Sequence, residues 1–279
     1  MLLIGLTGAL ATGKSTVAAL LSTTHNLPLI DADLLARAVV APGTTGYTRI
    51  LAHFGESTPD LLLPASADAS GSGAGKGEER MQGARGALRP INRAVLGRRV
   101  FGDDAERRRD RAVLNGIVHP LVRWEMAKLV LWYYVLGHWA VVLDIPLLYE
   151  SGLDVFMGVV VMVAVADSAV QMRRLRERDK GLSEGEARER VGSQMGVREK
   201  VGRTRGRGGR GWVVWNDGGR GELGGEVGGV VRELRERWGG WWGGWLWVSP
   251  VVAGGMGVWV VWRGWRCRRE WEKGEGKRL

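Results

Sequence analysis

The stretch Leu2-Leu3-Ile4-Gly5-Leu6-Thr7-Gly8-Ala9-Leu10-Ala11-Thr12-Gly13-Lys14-Ser15-Thr16 decides the fold. Residues 2–6 are apolar without alternation, the pattern of a strand buried on both faces. Thr7 to Ser15 is a glycine-bearing loop, and Thr16 to Ser22 opens a helix with Val17, Leu20 and Leu21 on one side. Gly8 to Ser15 matches Gly-x4-Gly-Lys-[Ser/Thr], in the strand–loop–helix context that a phosphate-binding loop requires. The glycines let backbone N–H groups point at phosphate oxygens. The helix N-terminus adds a partial positive charge. Lys14 can reach the β- and γ-phosphates, and the Ser15 hydroxyl can ligate Mg2+. The loop therefore implies a nucleoside triphosphate, held by Gly8, Ala9, Leu10, Ala11, Thr12, Gly13, Lys14, Ser15 and Thr16. A chance glycine-rich turn is the competing reading, and it leaves the register of strand, loop and helix unexplained.

Strands and helices alternate along the rest of the chain. Pro28 to Asp31 reads as a short strand whose end is expected beside the first, near the phosphates. Asp33 to Val40 starts a helix that Pro42-Gly43 ends. Asp33 is either an acid that takes a proton from an attacking hydroxyl or an N-cap, since Asp is favoured there. Residues 64–87 have linker chemistry and read as a flexible insertion. Helical signals dominate from Ile91 to Trp139, with Val113, Leu114, Ile117, Val118 and Leu121 as an apolar series. Ala140 to Asp144 is a buried strand ending in an acid, which is either a Mg2+ ligand through water or a polar strand end. Val159 to Val165 and Trp212 to Trp215 are further strands. Ser168 to Arg178 reads as a basic helix and Val227 to Trp238 as another. Ser183 and Glu186 fit a capping box for a charged helix ending near Gln194. Residues 202–211 read as a basic Arg-Gly loop. The alternation predicts an α/β fold, a P-loop parallel sheet flanked by helices.

Composition narrows the function. The chain has 279 residues and a formal charge of +10, which favours anionic partners. Its single cysteine, Cys267, excludes an internal disulfide framework and a Cys-rich zinc site. Met1 to Leu6 is too short for a secretory signal, so folding is expected in a reducing, ATP-containing compartment.

The motifs together resemble dephospho-CoA kinase. Gly5 to Gly8 with Ala11 to Thr16, then Ile30-Asp31-Ala32-Asp33 with Arg37, carry the first part of the resemblance. Asn92-Arg93 with Leu96 and Val100-Phe101, Leu114-Asn115 with His119-Pro120-Leu121, and Leu143 to Leu148 with Glu150 follow in order. Arg174-Leu175 with Arg178-Asp179, Gln194-Met195, and Val214 with Asn216 and Gly218 complete it, over roughly residues 2–237. The resemblance implies transfer of the ATP γ-phosphate to the ribose 3′-hydroxyl of dephospho-CoA, the last step of coenzyme A synthesis. It also implies a helical CoA-binding part and a lid. Asp33 falls where the family places its base, Arg174 and Arg178 in the lid region, and Asn216 in the adenine-side segment. Arg37 belongs to the same substrate-side block. His119 is either a substrate contact or a packed helix-terminal histidine, and Arg123 is an anion contact on the same face if the helix continues. The chain departs from the family pattern at Ala9, where a glycine is usual and a methyl is tolerable at negative φ. It departs again at 64–87, at 202–211, and at Trp215, where an acid is common.

Residues 238–279 form a tail of different character. Gly239 to Trp262 is 24 residues without a charge, seven of them Gly and six Trp, which is long enough to cross a bilayer. Trp241, Trp242, Trp245 and Trp247 cluster at one end and Trp259, Trp262 and Trp265 at the other, as interfacial belts would. Arg263, Arg266, Arg268 and Arg269 follow. The expectation is a kinase domain over residues 1–237, facing the cytoplasm and membrane-associated through 239–262 by a tail anchor or a hairpin at Pro250. A poorly ordered Gly/Trp tail or an apolar docking strip is the alternative. Other functional readings are another small-molecule P-loop kinase, such as a nucleoside monophosphate kinase, against which the His-Pro and Pro-Leu-Leu blocks speak, an RNA-binding protein using the Arg-Gly tract, and a membrane-only scaffold. The tract lacks aromatic stacking residues, so no specific nucleic-acid partner is expected.

Overall fold

The computed structural model describes residues 1–63, 89–102, 104–179, 185, 195–240 and 250–275. The expected insertion at 64–87, the Ser183–Glu186 capping box, Gln194 and the tryptophans at 241–247 lie outside the described residues. The chain divides into two compact units, Met1–Asp31 with Leu129–Leu279 and Ala32–Lys128.

The first unit is built on five parallel strands: β1 (Leu2–Gly8), β2 (Leu29–Asp31), β3 (Ala140–Asp144), β4 (Val159–Ala164) and β5 (Gly211–Trp215). Their spatial order is β2-β3-β1-β4-β5. Alternation across β4 divides its side chains between the two faces of the sheet. Val159, Val161 and Val163 join Leu2, Ile4 and Leu6 under α1 (Lys14–Thr23) and a later helix, Arg220–Leu234. Met162 and Ala164 face the other way, against Val201 of the helix Val197–Arg205.

This order corrects one expectation. The second strand does not lie beside the first, because β3 sits between them. Burial explains the placement. All five residues of β3 are buried, whereas β2 has three residues of which only the middle one is buried, as suits an edge. The acid in register with Leu6 of β1 is therefore Asp144, and Asp31 is in register with Asp144 one strand further out.

The second unit is helical: α2 (Ala32–Ala38), α3 (Thr45–Phe54), α4 (Arg93–Val100) and α5 (Ala105–Val135), the last belonging to it up to Lys128. Thr44 caps α3 by accepting from the Tyr47 N–H at 3.2 Å, and Asn92 caps α4 by accepting from Val95 at 3.3 Å. Its core is Tyr47, Ile50, Phe54, Leu61, Ile91, Leu96 and Val100. The sequence series Val113, Leu114, Ile117 and Val118 packs against it. Pro120 lies inside α5, which continues through it.

Returning to the first unit, α6 (Ser168–Arg178), α7 (Val197–Arg205) and α8 (Arg220–Leu234) flank the sheet. The expected basic loop at 202–211 is half helix, and two of its arginines are buried: Arg207 pairs with Asp154 at 3.3 Å, and Arg210 is 6% exposed. These two side chains are structural, so half of the tract's arginines are withdrawn from the solvated surface that RNA binding needs, while Arg205 stays exposed.

The tail forms α9 (Pro250–Glu275). Among the described residues no helix is long and apolar enough to cross a membrane, so the expected span over 239–262 is corrected where it is described, from 250 onward. The reason lies in the helix itself. Glycines dilute its first turns, and it runs on without a break through Arg263, Arg266, Arg268 and Arg269. Arg263, Arg266 and Arg269 each stack on the tryptophan four residues earlier, with Arg269 lying 3.8 Å from the Trp265 ring centre. Arg266 and Arg268 also pair with Glu270 and Glu272, one turn later. The helix packs against the short 3-10 turn Leu153–Phe156. Gly264 permits this contact, because a Cβ there would collide with the Val155 backbone.

Phe54 is 1% exposed at the centre of the second unit's core. Phe54→Ala should cost about 3–5 kcal/mol, measured as a shift in denaturant midpoint at constant slope.

Candidate active site

The site is assembled around the loop joining β1 to α1. Gly13 adopts φ 86° immediately before α1, a conformation that glycine takes without strain. Ala11 sits at φ 58°, a left-handed conformation that costs an alanine about 1 kcal/mol or more. Ala9, the departure noted in the sequence, is not among the positive-φ residues, so its methyl group brings no backbone strain.

Three carbonyls of this loop are held by side chains. Thr12, fully buried, donates its hydroxyl to the Ala9 carbonyl at 2.9 Å. Gln171 of α6 donates to the Leu10 carbonyl at 2.7 Å. Asn216, just after β5, donates from Nδ2 to the Thr12 carbonyl at 2.9 Å. The Thr12 and Thr16 N–H groups donate to the Ala9 and Gly13 carbonyls at 3.4 and 3.0 Å, and the remaining N–H groups of the turn are the ones suited to an anion. Arg174 donates to the Asn216 carbonyl at 2.7 Å, so α6 grips both the loop and the segment that braces it. Gln171 and Arg174 are three residues apart, on one helix face. Asp167 starts α6 by accepting from the Ala169 N–H at 2.8 Å.

Lys14, the first residue of α1, forms an ion pair with Asp144 at the end of β3. Asp144 is 5% exposed, while Ser15 beside Lys14 is exposed. After β3 the chain turns at Pro146, whose carbonyl accepts from Thr7 Oγ1 at 3.0 Å and from Lys200 Nζ at 3.4 Å. Lys200 is fully buried and pairs with Glu150 at 2.7 Å. Nearby, Tyr149 and Thr204 share a hydroxyl hydrogen bond of 2.7 Å. Burial pushes the Tyr149 phenol up to about 12, so it stays protonated at neutral pH.

The first unit thus brings together Lys14, Ser15, Asp144, Arg174 and Asn216 of the residues singled out in the sequence. The Arg178 side chain lies outside the described residues. In the second unit Asp33 is in the first turn of α2, exposed. It is not an N-cap, because the helix already begins at Ala32. Arg37 follows one turn later, also exposed. His119 and Arg123 are exposed and one turn apart within α5, so His119 is neither packed nor at a helix end. Trp215 packs beside Met162 on the α7 face of the sheet, and its N–H donates to Glu226 at 3.1 Å. Gln171, Lys200 and Thr7 were missed by sequence reasoning. Gln171 was detectable from its spacing to Arg174, whereas nothing local marks Lys200.

Residues 2–63 and 77–219 match the family described as dephospho-CoA kinase. The chain belongs to that family. It is 38% identical over 204 residues to dephospho-CoA kinase CAB5 of Saccharomyces cerevisiae, covering 73% of each chain. It is 39% identical to a dephospho-CoA kinase of Geobacillus kaustophilus, over 83% of this chain and 96% of that one. Among solved structures it resembles the crystal structure of TT1252 from Thermus thermophilus, with 28% identity and a TM-score of 0.56, covering 84% of this chain and 97% of that one. The activity is that of a phosphotransferase acting on dephospho-CoA with ATP, the final step of coenzyme A biosynthesis. The nucleoside monophosphate kinase and RNA-binding readings give way to it.

At Gly13 an added Cβ would collide with Asn216 Nδ2 and would be strained by the positive φ. Gly13→Ala should weaken ATP binding at least tenfold and lower the unfolding midpoint as well, measured by nucleotide titration and denaturant unfolding.

Proposed function

We propose that phosphoryl transfer in this kinase is carried by Lys14, Ser15, Asp33, Asp144, Arg174 and Arg178, with ATP as donor and Mg2+ as its companion ion. The observation that carries the reading is the Lys14–Asp144 pair, which puts a cation and an acid side by side where a strand end meets the phosphate-binding loop. The oxygens available fit the ion. A hydroxyl at Ser15 and a carboxylate at Asp144 are hard donors, and Mg2+ ordinarily takes one or two such ligands with phosphate and water supplying the rest. Among the described residues no group of three or more His, Cys, Asp or Glu forms a metal cage, and such a site needs none. When bound, the ion neutralises charge on the phosphate oxygens.

The protein's own groups then divide the work. Backbone N–H groups from Gly8 to Thr16 cradle the triphosphate, and Lys14 follows the charge on the β- and γ-oxygens. Asp33 accepts the proton of the ribose 3′-hydroxyl as its oxygen attacks the γ-phosphorus, and ADP leaves with the electron pair of the broken bond. Arg174 and Arg178 stabilise charge on the migrating phosphoryl group. Asn216 holds the loop in shape from the adenine side. Arg37, His119 and Arg123 are exposed groups suited to the phosphates of dephospho-CoA, Arg37 one turn from Asp33. The kinase unit proposed is residues 1–237, in a compartment that supplies ATP.

Two substitutions separate these roles. Lys14→Ala should lower turnover at least a hundredfold and weaken ATP binding. Asp33→Asn should lower turnover by about 10²–10⁴-fold while ATP binding stays within a few fold. Near-normal turnover in Asp33→Asn would remove it as the base. Both follow from ADP release assays paired with ATP titrations.

A further inference from the structure

The loop between β1 and α1 holds an alanine where its turn asks for a glycine. Ala9 to Thr12 form a four-residue turn, closed by the Thr12 N–H donating to the Ala9 carbonyl at 3.4 Å. The third residue, Ala11, has φ 58°. The second, Leu10, is not among the positive-φ residues, which excludes a type I′ turn. The turn is therefore type II, whose third position ordinarily takes glycine or asparagine. The type I turn differs by rotation of the central peptide through about half a turn, and it places the third residue at φ of about −90°. An alanine adopts that conformation without the strain of φ 58°. Left to itself, the Leu10–Ala11 peptide would turn over into type I.

Gln171 opposes that rotation. Its Nε2 donates at 2.7 Å to the Leu10 carbonyl, the one carbonyl that the two turn types point in opposite directions. Gln171 is buried, and α6 keeps it in place. Asp167 caps the helix, the Ala166 N–H before it donates to Asp217 at 2.8 Å, Arg174 donates to the Asn216 carbonyl, and Leu175 is fully buried. The donor is thus fixed from both ends of its helix. Asn216 holds the Thr12 carbonyl in a similar way, but the residue that follows there is Gly13, which takes φ 86° without strain. Only at Ala11 does a brace act against a strained backbone. A trans peptide points its carbonyl and its N–H in opposite directions, so the Ala11 N–H faces away from Gln171. That N–H has no partner among the described residues.

We propose that Gln171 is a positioning residue for the donor nucleotide, which holds the Ala9–Thr12 turn in its type II form so that the Ala11 N–H, and not the Leu10 carbonyl, faces the triphosphate. The inference rests on the reading above that N–H groups of this loop bind the ATP phosphates. A turned-over peptide would set a carbonyl dipole against those oxygens. The loop is then competent only in the fraction of molecules that keep type II, and the apparent affinity for ATP falls by that fraction. Bound ATP restores the type II form, so the transfer step keeps its rate. The effect belongs to the KM for ATP and not to kcat.

A double-mutant cycle in the full chain tests this, read by ATP titration and by ADP release. Gln171→Met keeps the side-chain length and removes the donor. It should weaken ATP binding and raise the KM for ATP about tenfold, with kcat and the KM for dephospho-CoA within about twofold. In an Ala11→Gly background the turn takes positive φ without strain, so the same Gln171→Met change should cost at most about threefold in ATP affinity. Should Gln171→Met fail to fold, Gln171→Leu, which also lacks a donor, takes its place in both backgrounds. A side chain that only packs would cost the same in each. Unchanged ATP affinity in Gln171→Met, a loss in kcat in place of KM, or an equal loss in the two backgrounds would each overturn the proposal. Lys14→Ala, measured alongside, separates the two readings. If it weakens ATP binding while Gln171→Met does not, this inference alone fails. If neither does, the phosphate-loop reading fails and this inference with it.

Discussion

The pairing of Lys14 with Asp144 ties the start of α1 to the end of β3, and much of the first unit is arranged to make it possible. Asp144 is 5% exposed, and a carboxylate so placed is costly unless a cation stands against it. The parallel register of β1 and β3 sets Leu6 opposite Asp144, which brings the strand's acid level with the chain just before the loop. The loop then turns through Ala11 and Gly13 in left-handed conformations and delivers Lys14 to its partner. In the mechanism proposed above, the nucleotide phosphates compete for the same lysine, and the pair holds the cation in place until they bind.

The loop's shape comes from outside it. Side chains of Gln171 and Asn216, distant in sequence, take up carbonyls that would otherwise point at an incoming anion. Arg174 links the two braces. A further belt runs from Thr7 through the Pro146 carbonyl to Lys200 and Glu150, which secures the segment after Asp144. Lys200 is buried while Glu150 is exposed, so removing Glu150 would leave a buried cation without its partner, and this belt is costly to break from that side. Rigid support of this kind suits phosphoryl transfer, where catalysis is largely positioning and charge neutralisation.

The sequence carried the strands and the loop clearly because their signals are local. Residues 2–16 hold a strand pattern, a glycine turn and a helix start in one register. Ala140 to Asp144 was legible as a strand to the residue, since unbroken apolar character ending in an acid has few other readings. Strand order was not legible, because whether β2 meets β1 or β3 depends on pairing between segments about a hundred residues apart. The braces Gln171 and Lys200 were hidden for the same reason. Arg207 looked like part of a solvated basic loop, yet its charge is buried against Asp154. The expected span over 239–262 rested on composition, tryptophan and glycine without charge, whereas the part described, from Pro250, is a helix that continues into arginines stacking on its own tryptophans, and no described helix is long and apolar enough to cross a membrane.

The central claim is a reaction, phosphate placed on the ribose 3′-oxygen of dephospho-CoA, and product analysis tests it most directly. The full chain would be given ATP and Mg2+ with dephospho-CoA and AMP in the same vessel, and the products separated and examined by phosphorus NMR. Coenzyme A bearing a new 3′-phosphomonoester, with one ADP formed for each and AMP unchanged, is the expected result. ADP gained at the expense of AMP, or phosphate found anywhere but the 3′-oxygen, would contradict it.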